Sequence, residues 1–211
     1  MSLRITVVGC GYLGATHAAC MAELGFDVLG LDVDEAKVAT LNEGRTPFFE
    51  PGLEPMLRKH VETGRLRFTT SYEEVASFGD AHFLCVSTPQ RGGEYAADLS
   101  HVDAAVSSLA PLLERPCVVI GKSTVPVGTA APIGQRLVEL APAGVDVDLA
   151  WNPEFLREGT PSTTPSTRAG SSSVSPPAVA TAPPRRCCAR STPRSSTPGR
   201  RSWSPTWPRP S

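Results

Sequence analysis

Two glutamates near residue 155 are the first candidates for chemistry in this sequence. Glu154 and Glu158 lie four residues apart in the segment 152–159, and they would share one face if that segment is helical. A carboxylate within hydrogen-bond reach of a water or a hydroxyl can act as a general base. The same spacing is typical of two solvated helix carboxylates, and on spacing alone we favour that interpretation.

A glycine-rich segment near the N-terminus predicts a diphosphate site. Gly9, Gly11 and Gly14 form a G-x-G-x-x-G pattern between a strand-like run and an apolar stripe of helical period. Gly9 permits the tight turn out of the strand, Gly11 lets the backbone approach a pyrophosphate, and Gly14 lets the helix pack closely on the strand. A diphosphate would lie at the helix N-terminus, whose free N–H groups and dipole favour an anion. A glycine turn without a ligand is the alternative.

An acidic residue at the end of the next predicted strand completes this pattern. Asp32 follows the glycines by about 20 residues, the spacing at which a carboxylate accepts hydrogen bonds from a ribose. Its charge would repel a 2′-phosphate, which favours NAD over NADP. We interpret Asp34 as a helix N-cap. Lys37 either reaches the adenosine ribose or a phosphate, or is an exposed helix lysine.

Hydroxyl side chains follow two further strand-like runs. Ser87 and Thr88 come after one apolar run, and Ser123 and Thr124 come just after the next. Ligands of open parallel sheets bind at the carboxyl edge, so these hydroxyls could bond a cofactor, the second pair beside its nicotinamide. A strand-to-loop junction without a ligand explains the first pair about equally well. We interpret Lys122 as a solvated charge at the rim.

The elements that must position these residues alternate between strands and helices. The predicted strands cover residues 3–8, 27–31, 66–69, 81–86, 116–121 and 145–150, and the predicted helices cover 34–42, 53–63, 72–77, 101–113 and 128–140, besides one that runs from the glycine turn to residue 24. This alternation predicts an α/β fold with a doubly wound, mainly parallel, Rossmann-like sheet.

Charge divides the chain at Pro161. Residues 1–160 carry 12 basic and 21 acidic side chains, a formal charge of −9, whereas residues 161–211 carry eight arginines and no acid. The first segment is long enough to bury one core. The Pro/Ser/Thr/Arg composition of the second predicts a disordered tail. No apolar run reaches the roughly 18 residues of a membrane span, and we expect neither a membrane nor a nucleic-acid partner.

The cysteines and histidines give no sign of a metal site. Cys10, Cys20, Cys85 and Cys117 lie in apolar contexts without ligand spacing, and we expect them to be buried free thiols. Because Met1 leads straight into a strand, no secretory signal is expected, and the thiols would be in a reducing cytoplasm. The four histidines show no ligand spacing either.

Together these segments resemble the NAD-binding domain of the UDP-glucose/GDP-mannose dehydrogenase family. The resemblance rests on V-V-G-C-G-Y-L-G, F-F-E-P-G-L, C-V-S-T-P, A-D-L-S, K-S-T-V-P-V-G-T and N-P-E-F-L-R-E-G, and it covers essentially residues 1–160. The last two motifs, in that order, are highly specific. The E-P-G-L loop looks most like the UDP-glucose 6-dehydrogenase branch.

The resemblance implies an oxidoreductase that converts the C6 alcohol of a nucleotide sugar to an acid, with two NAD and a covalent cysteine thioester between the two hydride transfers. It implies that Glu154 is the general base of thioester hydrolysis and that Thr124 helps to position the water. It also implies NAD contacts at Gly9, Gly11, Tyr12, Leu13, Gly14, Asp32, Lys37, Thr88, Ser123, Thr124 and Glu158.

Residues 161–211 depart from the family pattern. Family members continue into a helical dimerisation domain and a nucleotide-sugar domain with the catalytic cysteine, whereas Cys187 and Cys188 lie in a Ser/Pro/Arg context. We therefore expect a truncated, inactive copy whose tail reads out of frame, although a genuine basic tail is an alternative. The substrate would be UDP-glucose. A GDP-mannose or UDP-N-acetylmannosamine dehydrogenase fragment, or a free-standing NAD-binding module, is the competing hypothesis.

Overall fold

The computed structural model describes residues 3–90 and 97–153. Its strands are β1 (Arg4–Val8), β2 (Asp27–Leu31), β3 (Leu66–Thr69), β4 (Ala81–Leu84), β5 (Cys117–Gly121) and β6 (Val147–Trp151). Its helices are α1 (Tyr12–Glu23), α2 (Glu35–Asn42), α3 (Leu53–Glu62), α4 (Tyr72–Phe78), α5 (Ser100–Leu109) and α6 (Ala130–Leu140), with 3₁₀ turns at Ala110–Leu112 and Gly144–Asp146.

The six strands form one parallel sheet in the order β3-β2-β1-β4-β5-β6. The chain leaves β1 in one direction across the sheet and returns to β4 on the other side, so the strand order reverses between β1 and β4. Ligands of doubly wound sheets bind in the crevice at this reversal, outside the carboxyl ends of the strands. The predicted fold class is confirmed.

Both faces of the sheet are covered by helices. One apolar cluster joins Leu31 and Leu84 to α4, α5 and α6, and the other joins Val7 and Leu66 to α1, α2 and α3. Helix α1 presents four buried alanines to the strands, Ala15, Ala18, Ala19 and Ala22. Small side chains allow the close approach of helix and strand, which places the start of α1 directly above the end of β1.

Helix α5 and strand β4 end before the predicted boundaries. The predicted helix continued to residue 113, but α5 ends at Leu109 and passes into a 3₁₀ turn that contains Pro111. A proline lacks the N–H of the helical ladder and clashes with the preceding turn. Strand β4 ends at Leu84, because its neighbour β1 turns away at Gly9.

Burial also corrects two predictions. Cys20 lies on the exposed side of α1, and Cys117 is half-buried, so only Cys10 and Cys85 are the buried thiols that the sequence predicted. Lys122, predicted to be a solvated charge, is only 7% exposed. Among the described residues, no helix has the length and apolar character needed to cross a membrane.

Candidate cofactor-binding site

The three glycines after β1 differ in what surrounds them. Gly9 has a φ of +90°, and a Cβ placed there would lie 2.9 Å from the side chain of Val86. A Cβ at Gly14 would lie 1.8 Å from the carbonyl oxygen of Gly9, so α1 can begin here only without a side chain. A Cβ at Gly11 would meet no atom within 4 Å. Gly9 and Gly14 therefore build the turn, and Gly11 leaves open space at the N-terminus of α1.

The carboxylate of Asp32 is fixed beside this turn. Asp32 is 7% exposed. Its Oδ2 accepts hydrogen bonds from the Cys10 backbone N–H at 2.9 Å and from Lys37 Nζ at 3.0 Å. Its Oδ1 accepts one from the Asp34 backbone N–H at 3.1 Å. A rigid carboxylate at this position suits recognition of a ribose diol.

The Asp32 charge acts on two nearby groups. Burial, and then the negative charge of Asp32, raise the pKa of the Cys10 thiol well above its usual range. Burial and Asp32, in that order, also raise the pKa of the Tyr72 hydroxyl. Both groups therefore stay protonated at neutral pH.

Asp34 and Lys37 have separate roles in the structure. Asp34 is the N-cap of α2, and its Oδ1 accepts a hydrogen bond from the Lys37 backbone N–H at 3.1 Å. The N-cap interpretation is confirmed. The half-buried Lys37 side chain leans back over Asp32, so its ammonium lies at the rim of the site.

The loop before α3 contacts the glycine turn through Tyr12. The Tyr12 hydroxyl donates a hydrogen bond to Glu50 Oε2 at 2.6 Å, and its ring lies 5.5 Å from the ring of Phe48. Both partners belong to the F-F-E-P-G-L segment. The loop and the turn are thus fastened together beside Leu13, which also faces the site.

Hydroxyl groups join the ends of β4 and β5. Ser123 Oγ donates to the Val86 carbonyl at 2.5 Å, and Thr88 Oγ1 donates to the Thr124 carbonyl at 2.9 Å. These hydroxyls bond backbone groups in this structure, so their direct contact with a cofactor stays a prediction. In this structure the two hydrogen bonds hold the loop after β4 against the loop after β5.

These residues surround one cavity of about 590 Å³ at the carboxyl edge of the sheet. Its walls include nine of the predicted cofactor residues, which are Gly9, Gly11, Tyr12, Leu13, Asp32, Lys37, Thr88, Ser123 and Thr124. Gly14 lies behind the wall, where it serves packing. Glu154 and Glu158, as well as the predicted tail, lie outside the described residues.

Tyr72, His101 and Lys122 also line the cavity, although no role there was predicted for them. His101 Nδ1 lies 3.0 Å from Ser87 Oγ and 3.2 Å from the Ser87 carbonyl oxygen. His101 and Tyr72 lie at the starts of helices that follow strands, a position that points toward the crevice. For Lys122, its position directly after a buried strand was the sequence feature that could have predicted a place in the cavity wall.

The cavity suits a dinucleotide better than a metal ion. The open space at Gly11 lets a diphosphate reach the backbone N–H groups of α1. Asp32 stands one strand away to accept from a ribose, and the mixed polar and apolar wall extends to β5. The described parts of the chain contain no group of three or more His, Cys, Asp or Glu arranged to hold a metal.

Comparison with known proteins identifies the cofactor. A family model described as the NAD-binding domain of the UDP-glucose/GDP-mannose dehydrogenase family matches residues 3–165. The chain belongs to this family. The NAD prediction is thereby confirmed.

Known members of the family resemble the chain over about three quarters of its length. A UDP-glucose 6-dehydrogenase of Rhizobium meliloti is 43% identical over 157 residues, which are 74% of this chain and 36% of that protein. The structure of a UDP-glucose dehydrogenase from Pyrobaculum islandicum has a TM-score of 0.70 and 41% identity, covering 76% of this chain and 38% of that one. A GDP-mannose dehydrogenase structure from Pseudomonas aeruginosa has a TM-score of 0.69 and 34% identity, with 74% and 37% covered. The chain thus spans little more than a third of these relatives.

Proposed function

We propose that this chain supplies the NAD-binding part of an enzyme that oxidises the C6 alcohol of UDP-glucose to the acid of UDP-glucuronate. The observation that supports it most directly is the Asp32 carboxylate, buried and held by two backbone N–H groups beside the open turn at Gly11. The E-P-G-L loop and the 43% identity to a UDP-glucose 6-dehydrogenase favour this sugar.

We propose the following roles for the residues in and near the cavity. NAD bound there supplies the hydride acceptor. Asp32 accepts hydrogen bonds from the adenosine ribose, and the turn at Gly11 binds the diphosphate. Lys37 offsets the negative charge of the diphosphate. Thr124, at the end of the cavity formed by β5, positions a water, and Glu154 removes a proton from it. Glu158 and Ser123 contribute contacts to the nicotinamide half.

GDP-mannose is the second candidate substrate. The 34% identity and the TM-score of 0.69 with a GDP-mannose dehydrogenase support it. The described residues form a cofactor cavity, and the two branches share that part of the fold. Calorimetric titration of the longer enzyme to which this NAD-binding part would belong, with each nucleotide sugar in turn, separates the two candidates. The preferred sugar would bind more tightly.

The first prediction concerns cofactor choice. The 211-residue chain should bind NAD more tightly than NADP, because Asp32 repels a 2′-phosphate. Asp32→Ala should weaken NAD binding by about 1–3 kcal/mol, the scale of a lost hydrogen bond to a charged group. Calorimetry with both cofactors measures this, and Asp34→Ala, which removes only a helix cap, is the matched control. Tighter binding of NADP by the wild-type chain would remove Asp32 from its proposed role.

The second prediction concerns turnover. The 211-residue chain assayed alone should bind NAD but should not reduce it with UDP-glucose, because the thioester chemistry implied by the family needs a cysteine in a different context from Cys187 and Cys188. NADH absorbance measures turnover. Steady, enzyme-dependent reduction would contradict the proposal. Resequencing codons 155–170 tests the frameshift hypothesis, which a continuous in-frame tail would exclude.

A further inference from the structure

The carboxylate of Asp32 forms an ion pair with Lys37 in the cavity wall. Lys37 Nζ donates to Asp32 Oδ2 at 3.0 Å, and the side chains are 26% and 8% exposed, respectively. Both residues line the cavity. The end of β2 therefore presents two opposite charges to a ligand, where the sequence predicted a single anion.

The backbone around the pair holds both charges in place. Asp32 is fixed by the backbone N–H groups of Cys10 and Asp34. Lys37 is the third residue of α2, and its own backbone N–H donates to the Asp34 side chain that caps this helix. Only five positions separate the two charged residues, and the capped start of α2 fixes the direction in which the lysine leaves the backbone.

A phosphate on the adenosine ribose would meet both charges. Under the proposed function, on which this inference rests, Asp32 accepts hydrogen bonds from the ribose hydroxyls. A 2′-phosphate would then lie within several ångströms of the Asp32 carboxylate. Because the Lys37 ammonium is 3.0 Å from that carboxylate, the phosphate would lie within several ångströms of the ammonium as well. The carboxylate repels the phosphate, and the ammonium attracts it.

We propose that Lys37 is a specificity-determining residue, which limits how strongly the site prefers NAD over NADP. Its ammonium cancels part of the repulsion that Asp32 exerts on a 2′-phosphate. The 2′-hydroxyl of NAD is neutral and receives no comparable attraction, and the diphosphate is the same in both cofactors. The degree of cofactor preference is thus a property of the ion pair and not of Asp32 alone.

The test measures cofactor preference in the 211-residue chain by calorimetry. The wild type should bind NAD more tightly than NADP. Lys37→Met should raise the ratio of the NADP dissociation constant to the NAD constant by about tenfold, the scale of a unit charge several ångströms away at a partly solvated site. Lys37→Arg keeps the charge and should keep the ratio close to that of the wild type.

Lys59→Met is the matched control. Lys59 also pairs with a carboxylate, that of Glu23 at 2.8 Å, but Glu23 is the last residue of α1, whereas the cavity lies at the first. With a rise of 1.5 Å per residue, the two ends of α1 are roughly 16 Å apart. Lys59→Met therefore removes a paired lysine charge outside the cavity, and the ratio should stay at the wild-type value.

Two further measurements make the test independent of the nicotinamide and of weak NADP binding. ADP-ribose and its 2′-phosphorylated form differ only in the 2′-phosphate, and Lys37→Met should change the ratio of their constants by the same factor. In Asp32→Asn the carboxylate no longer repels the phosphate, so NADP binding becomes easier to measure. Adding Lys37→Met to that variant should again raise the ratio of the NADP constant to the NAD constant.

The outcomes separate failure of the inference from failure of the proposed function. An unchanged or lowered ratio in Lys37→Met, with measurable ADP-ribose binding, would overturn the inference and leave Lys37 a general contributor to dinucleotide affinity. If Lys37→Met does not fold, Lys37→Gln takes its place under the same criterion. Failure of the wild-type chain to bind NAD, NADP or ADP-ribose would instead refute the proposed function.

Discussion

At the scale of single residues, the glycine turn shows that one motif can hold positions with opposite requirements. Gly14 is required by a backbone contact, since its Cβ would collide with the Gly9 carbonyl oxygen at 1.8 Å. Gly11 has no such contact, and its φ of −70° suits any residue. Under the proposed function, the glycine at Gly11 keeps open the space that the diphosphate would fill.

The third prediction follows from this difference. Gly14→Ala should destabilise the fold by about 1–3 kcal/mol or more, because the backbone must shift to admit the methyl group. Gly11→Ala should unfold at nearly the wild-type temperature but bind NAD at least tenfold more weakly, because its methyl group stands between the diphosphate and the helix N-terminus. Thermal melting and calorimetry on the same two proteins measure both effects. A Gly11→Ala protein with wild-type affinity would show that no ligand approaches this turn.

Side-chain partners across the site were the hardest feature to predict from sequence. The bond between Tyr12 and Glu50 joins residues 38 apart, and the burial of Lys122 depends on the packing of loops at two strand ends. Local spacing holds no information on either. The positions of Asp32 and the three glycines at the turn could be predicted because they follow from one short segment and the strand after it.

At the scale of elements, an ion network closes the opposite edge of the sheet. Asp80, just before β4, accepts hydrogen bonds from the Arg4 backbone N–H at 3.0 Å and from an Arg115 guanidinium N–H at 2.6 Å. Burial alone would raise the pKa of Asp80, but these donors outweigh it and lower the pKa to about 2. The network joins the starts of β1 and β4 to the segment before β5.

His82 lies beside this network inside the sheet. It is fully buried, and its Nδ1 lies 2.7 Å from Thr6 Oγ1 on the neighbouring strand. Burial, and then the positive charge of Arg115, lower its pKa from 6.5 to about 4. The folded protein therefore holds this imidazole neutral at pH values where an unfolded chain would protonate it.

The fourth prediction is a loss of stability in acid that proceeds in two steps. Since the folded pKa of His82 lies below its unfolded value, its contribution is full above pH 6.5 and is lost as the pH falls toward 4, by about 3 kcal/mol. Asp80 adds a second loss as the pH falls from 3.8 toward 2. Urea unfolding at a series of pH values measures the free energy of unfolding at each.

A matched pair of variants assigns the two steps. His82→Asn keeps a group that can bond Thr6 but does not titrate, so it should flatten the slope between pH 6.5 and 4. Asp80→Asn should leave that slope in place and remove the step at lower pH. The same slope between pH 6.5 and 4 in His82→Asn and in the wild type would show that another group causes the acid instability.

The helices and strands themselves were predicted closely from the sequence. Alternating apolar runs and helical stripes located all six strands and six helices, because each is amphipathic or wholly buried over a length that the pattern resolves. The ends of α5 and β4 were wrong for different reasons. For α5, the sequence did contain a local signal, Pro111, but the apolar periodicity continued past it. Strand β4 ends where its neighbour β1 turns away, and a local sequence pattern carries no information on a neighbouring strand.

At the scale of the whole molecule, the sequence predicted the edge of the sheet at which chemistry would occur but not the shape of the site. Placing Asp32, Thr88, Ser123 and Thr124 after strands was enough to gather them at one edge, because parallel strands share it. The strand order brought them around a single cavity. The roles of Glu154 and Glu158 stay predictions, since both lie outside the described residues.

Trp151, at the end of β6, gives the site an optical property. Its ring covers Gly121, where a Cβ would lie 2.5 Å from the ring carbons, and its Nε1 donates to the Ser123 carbonyl at 2.9 Å. It is the single tryptophan among the described residues, and Trp203 and Trp207 are the others in the sequence. Indole emission overlaps the absorption band of a dihydronicotinamide. With Trp203 and Trp207 replaced by phenylalanine, the fluorescence of Trp151 would decrease as the reduced dinucleotide binds. Trp151 would then serve as an intrinsic fluorescent reporter of how much of the site is occupied.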